Sequence, residues 1–222
     1  RSVGLQVNAY VLNVPLLGTF GYGLGCMSYV DANKQFVADL FAEVKDNPLL
    51  CAHGHMHMDI SDQSFHINLA SREKPVVIQP FCAAGPIRWE GFFDFNPNSF
   101  AAGLGVIVNT GARVSFEACD GCDVWAEASF GFYANMYASI YYNPEFYLDE
   151  VEVNIGLHAA LRVGTDGWLC GDHSWTIASV SLDGSLRYKH KPNKNLKGTL
   201  SGSVNFLDII TADVDMNLDV NL

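Results

Sequence analysis

Apolar residues in this chain recur at every second position over runs of up to about twenty residues. In "DVWAEASFGFYANMYASIYY" (123–142) one set holds Val124, Ala126, Ala128, Phe130, Phe132, Ala134, Met136, Ala138 and Ile140. The interleaved set holds Trp125, Glu127, Ser129, Gly131, Tyr133, Asn135, Tyr137 and Ser139. "VEVNIGLHAALRV" (151–163) repeats the pattern, and so does the C-terminus, where Ile210, Ala212, Val214, Met216, Leu218 and Val220 oppose Thr211, Asp213, Asp215, Asn217, Asp219 and Asn221. Period two belongs to β-strands with one apolar face, because a helix would scatter these positions around its surface. The segment 32–47 has an Asp39/Glu43 spacing that suits a helix, but it alternates too and reads as a strand.

Reversals fall between the runs. Asp120-Gly121 and Asp183-Gly184 read as two-residue hairpin turns. Asn143-Pro144, Thr165-Asp166-Gly167 and Pro192-Asn193 mark further reversals, and Asn109-Thr110-Gly111 reads as a turn or a bulge. The fold expected is an all-β antiparallel meander of about a dozen strands, forming a tall sheet, sandwich or barrel with one continuous apolar face. Runs near twenty residues would span about 60 Å at ~3.3 Å per residue. Residues 1–222 read as one β domain, part of a larger protein or assembly, with an irregular seam at 71–99 where Pro75, Pro80, Pro86 and Pro97 concentrate.

Charge narrows the partners. The formal net charge is −11, which disfavours nucleic acid and anionic membranes, since phosphate binding needs clustered Lys and Arg. The one basic cluster, Arg187, Lys189, Lys191, Lys194 and Lys197, reads as a solvated turn. The opening "RSVGLQVNAYVLNV" lacks the layout of a signal peptide, and no apolar run approaches the ~20 residues of a membrane helix. The compartment stays open, with the extracellular space or a cell surface favoured. The six cysteines, at 26, 51, 82, 119, 122 and 170, read mostly as buried thiols.

Two constellations could carry chemistry. "CAHGHMHMDISDQSFHINL" (51–69) reads as a hairpin turning at Asp62-Gln63, with Asp59 opposite His66 and His57 opposite Asn68. His53, His55, His57, Asp59 and His66 then share a face, and imidazoles at i and i+2 with one across the hairpin could hold zinc or copper. The plainer reading is a wet polar face, because Met56, Met58, Ile60, Phe65 and Ile67 complete the apolar side without them. Cys119 and Cys122 flank a tight turn, and with Cys170 and His173 they could form a local disulfide or a second metal site. The row Asp213, Asp215 and Asp219 could bind calcium weakly, but a flat strand does not wrap an ion. No nucleophile elbow, phosphate loop or dinucleotide fingerprint is present. Gly21, Gly23 and Gly25 leave a flat strip where a ring or another sheet could lie.

From "WEGFFDFNPNSFAAGLGVIV" onward, aromatic-Gly strands, the reversal Asn143-Pro144-Glu145-Phe146 and the valine-rich strand after it form a repeating layout. Residues 89–222 thereby resemble long-stranded β-repeat segments of very large, uncharacterised bacterial proteins. The resemblance implies only that the chain is a piece of something larger. A continuous apolar face must be covered, so the expected function is a non-enzymatic structural module that associates with itself or with other β-sheet subunits. An apolar groove for lipid and a Zn- or Cu-binding His strand are the alternatives. A membrane barrel is disfavoured because the aromatics are spread along the runs instead of forming two girdles, and Trp125, Tyr133, Tyr137 and Tyr141 read as a wet aromatic face.

Overall fold

The computed structural model describes residues 2–11, 20–30, 34–45, 50–82, 85–207 and 209–222. Among these residues thirteen strands follow one another: β1 (Ser2–Val11), β2 (Phe20–Val30), β3 (Gln35–Lys45), β4 (Leu50–Ile60), β5 (Phe65–Leu69), β6 (Val76–Pro80), β7 (Ile87–Phe95), β8 (Ser99–Cys119), β9 (Cys122–Tyr141), β10 (Tyr147–Asp166), β11 (His173–Lys189), β12 (Asn195–Phe206) and β13 (Ile210–Asn221). No helix occurs among the described residues. The strands form an antiparallel meander in chain order, with one detour in which β5 pairs β7 while β6 lies off the path, against β4 and β7. The Pro-rich seam is the cause. Pro80 ends β6, and Phe81 and Cys82 take positive φ to turn the chain. A disulfide from Cys82 to Cys51 ties this turn back to the start of β4.

The strands gather into two compact units. One holds 1–106, 135–152 and 188–193, the other 107–134, 153–187 and 194–222. Segment 32–47 supplies β3, so cross-strand pairing outweighs its helical spacing. The hairpin at Asp62-Gln63 closes through Ser61 N–H donating to Ser64 C=O at 2.7 Å. Asp120-Gly121 turns β8 into β9, with Gly121 at φ 81°. Asp183-Gly184, by contrast, is no turn. It runs inside β11, where the Tyr133 hydroxyl donates to Asp183 at 2.9 Å and Gly184 leaves room for Ile155 and Leu200. Asn109-Thr110-Gly111 likewise continues within β8.

The packing explains how a sheet with so little interior holds its side chains. Among the described residues the buried apolar side chains are Ala38, Ala70, Val77, Cys122 and Trp125, and no large one is fully buried. Rings lie down on glycines of the neighbouring strand instead. A Cβ at Gly156 would stand 2.1 Å from the Tyr133 ring, one at Gly164 2.4 Å from Trp125, and one at Gly103 2.4 Å from Phe92. Trp125 is therefore a buried ring capped by the Arg113 guanidinium at 4.3 Å, not part of a wet face. Such aromatic cover on strand glycines protects backbone that would otherwise face water.

Candidate functional site

Residues 51–69 build the site from the strands up. Register sets Asp39 opposite His57, His57 opposite Asn68, Asp59 opposite His66, and Asn68 opposite Asp94. One side of β3, β4, β5 and β7 thus carries a continuous polar row. It continues into β2, where Cys26, an exposed thiol, stands opposite Asp39.

Each central imidazole is held by a carboxylate. His57 Nδ1 donates to Asp39 Oδ1 at 2.7 Å, and His55 Nε2 lies 3.5 Å from the same oxygen. His66 Nε2 donates to Asp94 Oδ2 at 2.9 Å, and Asn68 donates to that oxygen at 3.0 Å. The donated proton fixes the tautomer when the ring is neutral and leaves His57 Nε2 and His66 Nδ1 as the remaining ring acceptors. The two rings meet edge to face, 6.2 Å between centroids. Burial pushes the Asp94 carboxyl up, but hydrogen bonds from His66, Asn68 and Asn96 outweigh it, so its pKa lies below the usual carboxylate value. Asp59 accepts twice from Gln35 Nε2, at 2.9 Å to each oxygen. His53 stands further along, opposite Glu43 and Val77.

The hairpin read from the sequence is the hairpin formed, and it brings His57, His66 and Asp59 to one patch. Asp39 and Asp94 could not be seen as partners without the β3–β4 and β5–β7 registers. Carboxylates that orient histidines are the usual outer support of a metal site. Among the described residues, however, no group of three His, Cys, Asp or Glu is placed to hold a metal ion. Asp39 Oδ1 accepts the hydrogen bond from His57, and Cys26 stands opposite Asp39 in the β2–β3 register. What the row holds is a pair of hydrogen-bonded His–Asp contacts, His57 with Asp39 and His66 with Asp94.

The second constellation holds a disulfide, though not across the tight turn. Cys122 bonds to Cys170, with Cα atoms 5.7 Å apart, and Cys119 keeps an exposed thiol. The loop 167–172 folds onto the hairpin turn to make this bond. Leu169 N–H donates to Gly121 C=O at 3.4 Å, and the Trp168 ring covers Gly121. His173 packs against Trp175, 5.8 Å between centroids. Cys119, Cys122, Cys170 and His173 are therefore not gathered as a ligand set, and the expectation of thiols fails for Cys51, Cys82, Cys122 and Cys170. The acidic row lies on β13, with Asp219 accepting from Asn195 at 2.7 Å and paired to Lys197 at 3.1 Å.

An apolar groove of about 320 Å³ lies in the first unit. It is lined chiefly by Leu40, Ala42, Ala52, Met56, Leu69 and Val76. Gly54 is part of its lining, and a Cβ there would stand 3.0 Å from Val76. Compared with known protein families, characterised proteins and solved structures, the chain matches none.

Proposed function

We propose that this chain is a non-enzymatic β-sheet assembly module, a subunit or part of a larger fibre or shell, whose apolar face is covered by another β layer. The observation that carries the reading is the open apolar face of the second unit. Leu182, Leu186, Val204, Phe206, Met216 and Leu218 are between 43 % and 61 % exposed. They belong to one surface. Leu200 opposes Met216 and Phe206 opposes Ile210, while Leu186 and Leu182 reach over Gly198 and Gly202. Fully burying a side chain of this size contributes roughly 1.5–3 kcal/mol, so covering the exposed half adds about 1 kcal/mol at each position. Contiguous apolar surface on this scale marks an interaction face.

Sedimentation velocity over a wide concentration range tests the reading. The expected result is concentration-dependent assembly that Leu186→Glu and Leu218→Glu weaken. A discrete monomer at high concentration would overturn it. A second reading rests on the groove around Gly54, which suits an acyl chain or similar apolar ligand. Co-purifying lipid in native mass spectra, lost in Gly54→Leu, would support it.

A further inference from the structure

Among the described residues the two ends of the sheet path are β1 and β13, each paired with one neighbour. In an antiparallel ladder, opposed residues alternate between pairs that exchange both backbone hydrogen bonds and pairs that turn those groups away. Leu222 N–H donates to Lys194 C=O at 2.9 Å, in the same register as the β12–β13 pairs. Alternation then turns the even residues of β13 toward β12. It leaves the N–H and C=O groups of Thr211, Asp213, Asp215, Asn217, Asp219 and Asn221 on the open side. Near the other edge, Ala70 N–H donates to His55 C=O at 2.6 Å. Carried through the registers of β4, β3, β2 and β1, the same alternation turns Val3, Leu5, Val7 and Ala9 toward β2. The outward backbone groups of β1 belong to Ser2, Gly4, Gln6, Asn8 and Tyr10.

Both edges therefore offer the backbone of their polar set. A second copy that brings its β1 antiparallel to β13 sets polar positions opposite polar and apolar opposite apolar. One of the two registers that overlap all of β1 and keep this parity pairs Asp213 with Asn8, Asp215 with Gln6, Asp219 with Ser2, Val214 with Val7 and Met216 with Leu5. Three carboxylates face residues that carry no charge and can donate hydrogen bonds. Pairing β13 with another β13 is opposed by charge. The registers centred on Val214, Asp215 and Met216 each set Asp against Asp, and like charges directly opposite destabilise a sheet.

We infer that β13 of one copy pairs with β1 of the next, extending the sheet head to tail. The inference rests on the assembly reading but uses the edges, not the apolar face. Asp215→Pro and Gln6→Pro remove one outward N–H each and leave the bonds to β12 and β2 in place, the edge position that strands tolerate for proline. Gln6→Asp is a second variant that spares the backbone and sets a carboxylate against Asp215. Far-UV circular dichroism unchanged from the parent chain shows that each variant is folded.

Sedimentation of each proline variant alone and of their equimolar mixture reads the junction. Each alone is expected to stop at the size that face pairing gives, Gln6→Asp to do the same at neutral pH, and the mixture to sediment faster, since one intact β13 meets one intact β1. Growth of Asp215→Pro alone to the size of the parent chain, or a mixture that sediments like its components, would overturn the inference. Proline variants that sediment as monomers, with a mixture that still grows, would keep the edge junction and discard the face-covering reading.

Discussion

Tyr133 and Gly156 allow the one-layer packing to be tested quantitatively. Tyr133 leans from β9 across Gly156 of β10 to donate its hydroxyl to Asp183 of β11 at 2.9 Å. A methyl group at position 156 would stand 2.1 Å from the ring and 2.6 Å from the Asp183 carboxylate, so the ring must leave its place. Overpacking of this kind costs about 1–3 kcal/mol. Without the ring, alanine in a strand is better than glycine by roughly 0.5–1 kcal/mol, because less backbone entropy is lost on folding. Gly156→Ala should therefore destabilise the parent chain but be neutral or stabilising in Tyr133→Ala, a coupling of about 1–3 kcal/mol, since the propensity gain is common to both backgrounds. Tyr133→Phe, which deletes only the hydrogen bond, should cost about 1 kcal/mol. Urea unfolding followed by intrinsic fluorescence, at one fixed protein concentration, measures all four variants. Equal destabilisation by Gly156→Ala in both backgrounds would refute the account of rings resting on glycines.

Three further outcomes are expected. Reduction, or Cys82→Ser and Cys170→Ser, opens loops with sequence separations of 31 and 48 residues, and chain entropy puts the loss at about 3.5–4 kcal/mol for each bond, readable in urea with and without dithiothreitol. Because Asp94 has a lowered pKa in the fold, its contribution is complete above the ordinary carboxylate value and fades as pH falls through the lower folded value, so Asp94→Asn should flatten the acid limb of stability against pH. Arg72→Ala removes a guanidinium bonded to Glu152 at 2.8 Å, 3.9 Å from the buried Glu150, and stacked on Tyr137; a loss of about 1–2 kcal/mol in the urea midpoint is expected, reduced from that of a fully buried pair because the arginine is half-exposed.

Strand number, strand length and the 51–69 hairpin were legible because period two and turn chemistry are local. The limits appear where non-local contacts decide. Asp183-Gly184 has the composition of a hairpin turn, but two neighbouring ladders keep it extended, and the Tyr133 hydroxyl occupies the carboxylate that a turn would have used. Cys122 has a partner three residues away in sequence, yet it bonds to Cys170 because Trp168 folds onto Gly121 and brings that loop across the turn. The histidines were visible, but their carboxylates were not. Asp39 needed the β3–β4 register, and Asp94 needed β5 to bypass β6 and pair β7. Trp125 sits in a polar alternation and is nonetheless buried, because the glycine that receives it is about forty residues away.

The rings that lie on glycines have a consequence for how the chain loses structure. The rings of Phe92, Trp125 and Tyr133 each rest on an adjacent strand, and among the described residues no large apolar side chain is fully buried to join distant strands into one cooperative block. Stability then approximates a sum over neighbouring strand pairs, as in repeat proteins. Amide exchange in such a chain should form a gradient, fastest at β13, whose residues are all exposed, and slower toward the strands that carry Trp125 and Tyr133. A hairpin could be gained or lost at an edge without disturbing any packing deeper in the sheet.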